Sequence, residues 1–420
     1  MANIEAQTIL VVGGGSSGLT AAVEAAEAGR DVFIVEKRPY LGGRVAQMHQ
    51  YFPKLCPSSC GLEINFRRIR QNPRIKFFTM AEVENILGED GNFDVTIRLN
   101  PRYINENCTG CGACSEVVTT EIPNAFNYGM DKVKAAYLPH EFAFPMRYVI
   151  APEIIGMEEA TRAKEVCKYN AVDLEMSPET VNLKVAAIVW ATGWNPYDAD
   201  KLEEMGFGRI PNVVTNVMME RLAAWNGPTG GKIVRPSDGK PVESVAFVQC
   251  AGSRDENHMP FCSHVCCLAS LKQTTYIREQ NPESKVSIFY IDIRAYGRYE
   301  AFYTRVGGDE NVKFIKGKVA KVEEDSTSGR VIVEAEDIYS GGKKRAQVDL
   351  VVLATGMHPT TAKDRVPADL RYDENGFIIS DSQKPGIYAA GCVKKPLDVA
   401  TANRDATAAA LKAVQSTVKR

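Results

Sequence analysis

Thr8-Ile9-Leu10-Val11-Val12 leads without a break into Gly13-Gly14-Gly15-Ser16-Ser17-Gly18, and Leu19 to Ala28 is then rich in alanine and stops at Gly29. The β-branched apolar run predicts a buried strand, the alanine-rich stretch a helix, and the glycine after it a helix end. Asp31 to Val35 predicts the next strand, with Glu36 at its close. Strand, glycine turn, helix, strand and terminal acid is the order of a dinucleotide-binding βαβ unit. Gly13, Gly15 and Gly18 let the backbone approach a pyrophosphate. The helix start near Ser17 offers it free N–H groups and a positive dipole end, and Glu36 can accept ribose hydroxyls. A glycine run alone is a weak signal; its place between strand and helix makes it specific.

Outward from this unit, one nine-residue phrase occurs twice, as Ile188-Val189-Trp190-Ala191-Thr192-Gly193-Trp194-Asn195-Pro196 and as Val351-Val352-Leu353-Ala354-Thr355-Gly356-Met357-His358-Pro359. Each predicts a buried strand running into Ala-Thr-Gly, so the two close two related α/β units. Ser244 to Gln249, Leu268 to Arg278 and Lys285 to Ile293 predict a second strand, helix, strand series, to which Val331 to Glu336 and Val348 to Leu353 add strands. Gly376 to Ala390 is expected to be strand-rich and to lead to Gly391, and Leu397 to Val418 to be a closing helix after Pro396. Pro101 to about Glu175 fits neither unit and is expected to be an insertion. Trp225 to Lys240, rich in Gly and Pro, predicts an exposed loop.

The 420 residues, 45% of them hydrophobic, suffice for two or three domains with their own cores. Lys plus Arg (50) nearly cancel Asp plus Glu (52), which gives no electrostatic case for nucleic acid or anionic lipid as a partner. Met1 to Gln7 is polar, and no apolar run approaches the roughly 18 residues of a membrane span. The expectation is a cytoplasmic chain that meets a membrane only through partners. Eleven cysteines without an export signal then point to metal or redox chemistry rather than a disulfide framework.

Glu36-Lys37-Arg38-Pro39-Tyr40-Leu41-Gly42-Gly43-Arg44 resembles the Glu-x5-Gly-Gly-Arg run of the two-dinucleotide-binding flavoproteins, and Gly386-Ile387-Tyr388-Ala389-Ala390-Gly391 resembles their second FAD motif. The resemblance implies FAD. The candidate cofactor-binding residues are Gly13, Gly15, Ser17, Gly18, Glu36, Lys37, Gly42, Gly43, Arg44, Thr192, Gly193, Gly391 and Cys392. In that family the residue after the last glycine is an aspartate on the flavin ribityl chain. Cys392 stands there instead, either packed as a small neutral side chain or redox-active.

The middle domain of pyridine-nucleotide disulfide oxidoreductases has its own glycine turn for NAD(P)H. Here Gln249-Cys250-Ala251-Gly252-Ser253-Arg254 keeps one glycine, and Cys262-Ser263-His264-Val265-Cys266-Cys267 follows before the helix. Cys250, Cys262, Cys266 and Cys267 can supply four thiolates to a 4Fe-4S cube, and adjacent cysteines suit it better than a zinc site with spaced Cys pairs. Buried thiols, a disulfide or zinc are the competing readings. The arrangement resembles the flavoprotein component of heterodisulfide reductase, whose family carries a Gln-Cys-x-Gly-Ser-Arg strand end and a Cys-Ser-x-x-Cys-Cys run. Within that family the compact form is most similar to the branch found in the quinone-interacting membrane-bound oxidoreductases of sulfate reducers.

Cys108-Thr109-Gly110-Cys111-Gly112-Ala113-Cys114 is the start of a bacterial ferredoxin motif, in which glycines turn three sulfurs toward one cube. Val118-Thr119 stand where the local fourth Cys-Pro belongs. In two-cluster ferredoxins that residue serves the other cluster, and the first three borrow a remote cysteine, here Cys167. One complete 4Fe-4S cluster is therefore expected, with a three-iron or degenerate cluster or a zinc knuckle as alternatives. Cys56 and Cys60 are open to three readings: a dithiol facing the flavin, ligands completed by another protein of a complex, or structural thiols. None of the five histidines lies in the last 60 residues, where disulfide reductases keep their acid-base histidine, and His264 is expected to be exposed or to support the cluster rather than ligate it.

The fold class expected is α/β: two Rossmann-like three-layer units of the pyridine-nucleotide-disulfide-oxidoreductase type with a ferredoxin-like insertion. The expected division is a FAD-binding domain over 1–100, 181–240 and 359–420, the insertion over 101–180, and a second Rossmann-like domain over 241–358. The function expected is that of an electron-transfer subunit with FAD and two 4Fe-4S clusters and no named catalytic residue. The resemblance implies three partners: a second flavin and iron-sulfur subunit, a haem-bearing membrane subunit exchanging electrons with menaquinone, and adenylylsulfate reductase. The alternatives are a self-contained NAD(P)H-dependent disulfide oxidoreductase using Cys56 and Cys60, and a redox-silent FAD scaffold.

Overall fold

A computed structural model of the chain describes residues 7–336, 341–379 and 384–418. It divides into two compact units. The first takes the chain up to Ala46, Ser59–Trp194 and the chain from Pro359 onward; the second takes Gln47–Ser58 and Asn195–His358.

In the first unit Thr8–Val12 is a wholly buried strand, and the helix Ser16–Glu27 follows the glycine turn. Strands Ile387–Ala389, Ala187–Trp190, Thr8–Val12, Asp31–Glu36 and Ile75–Thr79 lie in that order in a five-stranded sheet whose pairings are all parallel. Near-continuous Val/Ile runs are what a sheet buried on both faces requires. An antiparallel sheet of Glu179–Val185, Asn92–Leu99 and Ala81–Glu89 shares with it a core that includes Leu10, Trp190, Phe93 and Ile97. Between Asn92–Leu99 and Glu179–Val185 the chain makes a small body of two short antiparallel ribbons and the helix Glu158–Glu165, with its own core around Val118, Ile150, Ile154 and Ala163.

The second unit repeats the plan. Val213–Thr215, Leu350–Leu353, Ser244–Val248, Lys285–Tyr290 and Val312–Lys316 form a parallel sheet in that order, beside an antiparallel sheet of Val319–Glu324, Val331–Glu336 and Lys343–Val348. The repeated phrase thus ends one strand of each parallel sheet.

The elements differ from expectation at three places. The helix expected from Leu268 runs Cys266–Gln280, so the adjacent cysteines form its first turn. Val348 to Leu353 is not one strand: Lys343–Val348 and Leu350–Leu353 belong to different sheets and change over at Asp349, whose buried carboxylate accepts from the Ser244 amide at 2.9 Å and hydroxyl at 2.8 Å. Of Gly376 to Ala390, Ile387–Ala389 is a strand, Ile378 makes an isolated bridge to Tyr372, and residues 380–383 lie outside the described residues, as does most of the polar opening. The closing helix is Val399–Ser416, begun by Asp398, whose side chain accepts from the Thr401 amide at 3.1 Å.

Candidate functional site

In the first unit the glycine turn is pressed against its surroundings. A Cβ on Gly13, which sits at φ +108°, would strike the Ala191 carbonyl; one on Gly18 would overlap the Gly13 carbonyl; one on Gly43 would come within 2.8 Å of the Gly15 Cα. The Gly13 amide donates to Val35 O at 2.8 Å and the Gly42 amide to Gly14 O at 2.7 Å, which brings the Gly-Gly-Arg turn alongside. Gly15 caps the helix without a side chain, so the N–H groups of its first turn stay available.

Glu36 is buried, with Oε2 accepting from the Gly14 amide at 2.6 Å and Oε1 from the Arg38 amide at 2.8 Å. Burial raises its carboxyl pKa, and these N–H donors pull against that rise. Lys37 points the other way, 3.3 Å from Glu82 on the surface. Its neighbour Arg38 turns inward and donates to the Tyr40 hydroxyl at 3.0 Å, a placement the alternation of a strand end could have suggested. Arg44 stacks over Trp194 and donates through Nε to the Trp194 carbonyl at 2.6 Å and through Nη1 to the Tyr128 hydroxyl at 3.2 Å. The Thr360 hydroxyl donates to that of Thr192 at 2.9 Å, and its amide to Gly193 O at 3.2 Å.

A Cβ on Gly391 would overlap the Ser17 hydroxyl, which places the late motif on the first helix. The Cys392 thiol is buried and donates to Leu397 O at 3.4 Å, and burial pushes its pKa up to about 11. It is a neutral, packed group. The acid nearby is Asp405 of the closing helix, which takes the Gly391 amide at 2.7 Å and Lys394 at 2.7 Å. No local motif marks Asp405; only the fold brings it to Gly391. A turn that a Cβ would fill, an uncapped helix start and a buried acid fit the adenosine diphosphate half of FAD.

In the inserted body Cys108, Cys111, Cys114 and Cys167 line one pocket with Ile104 and Tyr148. Gly110 and Gly112, at φ +74° and +85°, turn the chain between the first three. Cys167 follows the helix Glu158–Glu165, and its sulfur accepts from the Ala171 amide at 3.3 Å. Burial, then the neighbouring cysteines, pushes the Cys114 thiol up to about 11. Where the companion cluster's cysteine would stand, Val118 is packed in the core, and the Thr119 amide donates to Glu159 at 2.8 Å. Arg102, 6% exposed, ties the body down by donating to the carbonyls of Tyr148 (2.8 Å), Pro39 (2.8 Å) and Arg147 (2.6 Å).

In the second unit Cys250 follows the strand Ser244–Val248 in left-handed backbone, φ +58°, and Cys266 and Cys267 open a helix of 15 residues. The four cysteines lie close enough to act on one another: burial and then the other three raise the Cys266 thiol well above its ordinary range. His264, also left-handed, donates its amide to Cys262 Sγ at 3.3 Å, while its exposed ring meets the Tyr296 hydroxyl at 3.2 Å. Gly252, at φ +78°, is packed so that a Cβ there would stand 2.8 Å from the Tyr197 ring. Among the described residues no group of three or more His, Cys, Asp or Glu side chains could hold a single metal ion. The cysteines form instead two open sets of four, and an all-thiolate set of four is the ligand set of an iron-sulfur cube. Cys56 and Cys60 are both exposed.

Residues 8–55 match the family described as FAD dependent oxidoreductase. The chain is 40% identical over 417 residues to an iron-sulfur subunit of the CoB–CoM heterodisulfide reductase of Methanopyrus kandleri, covering 96% of this chain and 63% of that protein. It is 37% identical over 423 residues to the corresponding subunit of the H(2):CoB-CoM heterodisulfide,ferredoxin reductase of Methanothermobacter marburgensis, covering 98% and 64%. The chain therefore spans less than two thirds of the length of these relatives. Among solved structures, T. acidophilum thioredoxin reductase aligns at TM-score 0.54 and 17% identity over 98% of this chain and 100% of that one, and Lactococcus lactis thioredoxin reductase at 0.53 and 14% over 98% and 99%. These two likenesses concern the fold.

Two parallel-sheet units, the first with a flavin cradle, define an FAD-dependent oxidoreductase built like the disulfide reductases. Along 96–98% of its length the chain is similar to the iron-sulfur flavoprotein subunits of heterodisulfide reductases.

Proposed function

We propose that this chain is an electron-transfer subunit that holds FAD in its first unit and two 4Fe-4S clusters, one on Cys108, Cys111, Cys114 and Cys167 and one on Cys250, Cys262, Cys266 and Cys267. The observation that carries it is the second cysteine set, spread over the turn between the strand Ser244–Val248 and the helix Cys266–Gln280, which by the resemblance above is the turn that holds a nicotinamide dinucleotide in pyridine-nucleotide disulfide oxidoreductases. FAD exchanges electrons singly or in pairs and the clusters exchange them singly. The protein's own part is to bury and orient: Glu36, the glycine turn and the uncapped helix hold the dinucleotide, Arg44 packs on Trp194 beside it, and amides of Ala171 and His264 reach cluster sulfurs.

On the finer reading, which follows the resemblance to quinone-interacting membrane-bound oxidoreductases, the chain links menaquinone to adenylylsulfate reductase. It does so through a haem-bearing membrane subunit together with a second flavin and iron-sulfur subunit. It lies on the cytoplasmic face of the membrane by way of those partners. Among the described residues no helix is long and apolar enough to cross a membrane. Protein purified anaerobically is expected to contain one FAD and about eight irons with matching sulfide, as two cubes require. Cys266→Ser should remove one EPR signal of the reduced protein and spare the other; a yellow protein without inorganic sulfide overturns the proposal.

A further inference from the structure

We infer that Arg254 and Arg294, fixed by Asp292, are positioning residues that raise the reduction potential of the centre on Cys250, Cys262, Cys266 and Cys267. The inference rests on the cluster reading above and adds to it the means by which this chain sets one centre apart from the other.

The segment Asp292 to Arg294 follows the strand Lys285–Tyr290 at the carboxyl edge of the second unit's parallel sheet. It walls the cysteine set: the Cys267 thiol lies 3.7 Å from the Asp292 carbonyl, and the Arg294 amide bonds the same sulfur. Arg254 stands in left-handed backbone at φ +57°, its amide donating to Phe261 O at 3.1 Å. The Arg254 guanidinium pairs with Asp292 Oδ1, and Arg294 Nε lies 3.5 Å from Asp292 Oδ2. One carboxylate thus holds two guanidiniums in place. Both guanidiniums are thereby anchored on the residue whose carbonyl meets Cys267, and Arg254 lies in the same loop as Cys250.

Arginine keeps its charge at any working pH, so the pair is a permanent field rather than a titrating one. Two cations and one anion leave a net positive charge beside four thiolates. Reduction adds a negative charge to a cluster, and a nearby cation favours the more negative state, which raises the potential. The side chains of Arg254 and Arg294 are 26% and 33% exposed, so water screens them only in part.

The test is an EPR-monitored redox titration of the anaerobically purified full chain, with the signal that Cys266→Ser abolishes as readout and the other cluster's signal as internal control. Arg294→Gln should lower the midpoint of the first signal and Asp292→Asn should raise it, the control staying put in both; Arg294→Lys should restore most of the Arg294→Gln loss. Opposite shifts from two neighbouring substitutions are not what loosened packing produces. If Arg294→Gln loses the cluster, Asp292→Asn decides alone, since its side chain is 49% exposed and ligates nothing. Unmoved midpoints, or shifts of the same sign, overturn the inference while leaving the cluster reading intact; absence of the Cys266-dependent signal from the unsubstituted chain would instead overturn the reading beneath it.

Discussion

A methyl group on Gly18 would land on the carbonyl oxygen of Gly13, backbone against backbone, with no flexible side chain to give way. That makes Gly18 a residue whose need is visible in the motif and whose reason is visible only in the fold. Overpacking of this kind costs about 1–3 kcal/mol and would displace the turn from a bound diphosphate. Gly18→Ala is therefore expected to cut flavin per chain by at least tenfold with iron content unchanged, as read from flavin absorbance and iron assay of the same sample. Unchanged flavin would show that the turn is not the cradle. Cys392 is the reverse case. Its position in the motif leaves a redox role open, but the thiol is buried, hydrogen-bonded to Leu397 and shifted toward the protonated form.

At the scale of elements, the helices Asn216–Ala223 and Cys266–Gln280 meet over a buried charge network in the second unit. Glu220 takes Lys272 at 3.0 Å, Gln273 at 2.7 Å, the Tyr276 hydroxyl at 3.3 Å and the His49 amide at 3.0 Å, and Lys272 also donates to Gln50 O at 2.6 Å. Helical periodicity could not announce this, because the apolar stripe of Cys266–Gln280 is interrupted by the very residues that are buried, Ser270, Lys272, Gln273 and Thr274. Glu220→Ala leaves Lys272 charged and unpaired in the interior, which should cost on the order of 3–5 kcal/mol. The double variant Glu220→Leu/Lys272→Met should recover much of it. Urea unfolding of the three proteins checks this, and equal stability of Glu220→Ala and the parent would remove the network from the account of the fold.

For the whole molecule, two parallel-sheet units with antiparallel side sheets are the plan of an FAD and nicotinamide enzyme, and on the function proposed here the second unit carries sulfur ligands in place of a nucleotide. The chain after Ser244–Val248 folds back on itself, with the Met259 amide on Gly252 O at 3.0 Å and Met357 on the Ser263 hydroxyl at 2.9 Å, and delivers cysteines to the sheet edge. NADH and NADPH are accordingly expected to leave the flavin of the anaerobic protein oxidised, while a low-potential one-electron donor bleaches it. Rapid bleaching by either nucleotide alone would favour the disulfide-reductase alternative with Cys56 and Cys60, both of which are exposed.

The βαβ start, the insertion and both cysteine sets are legible from residues alone, because glycine turns, apolar runs and Cys-x2-Cys spacing act over a few positions along the chain. Lys37 turns away from the turn it was expected to serve, and Arg38, Asp405 and Asp292 carry no motif, for the converse reason: their roles depend on which way a side chain leaves a strand end or on partners distant in sequence. What the chain wrote for itself is where phosphate and sulfur chemistry can occur. What only folding decided is which charges stand next to that chemistry, since a guanidinium or carboxylate acts through space over a few ångströms and local sequence carries no record of that distance.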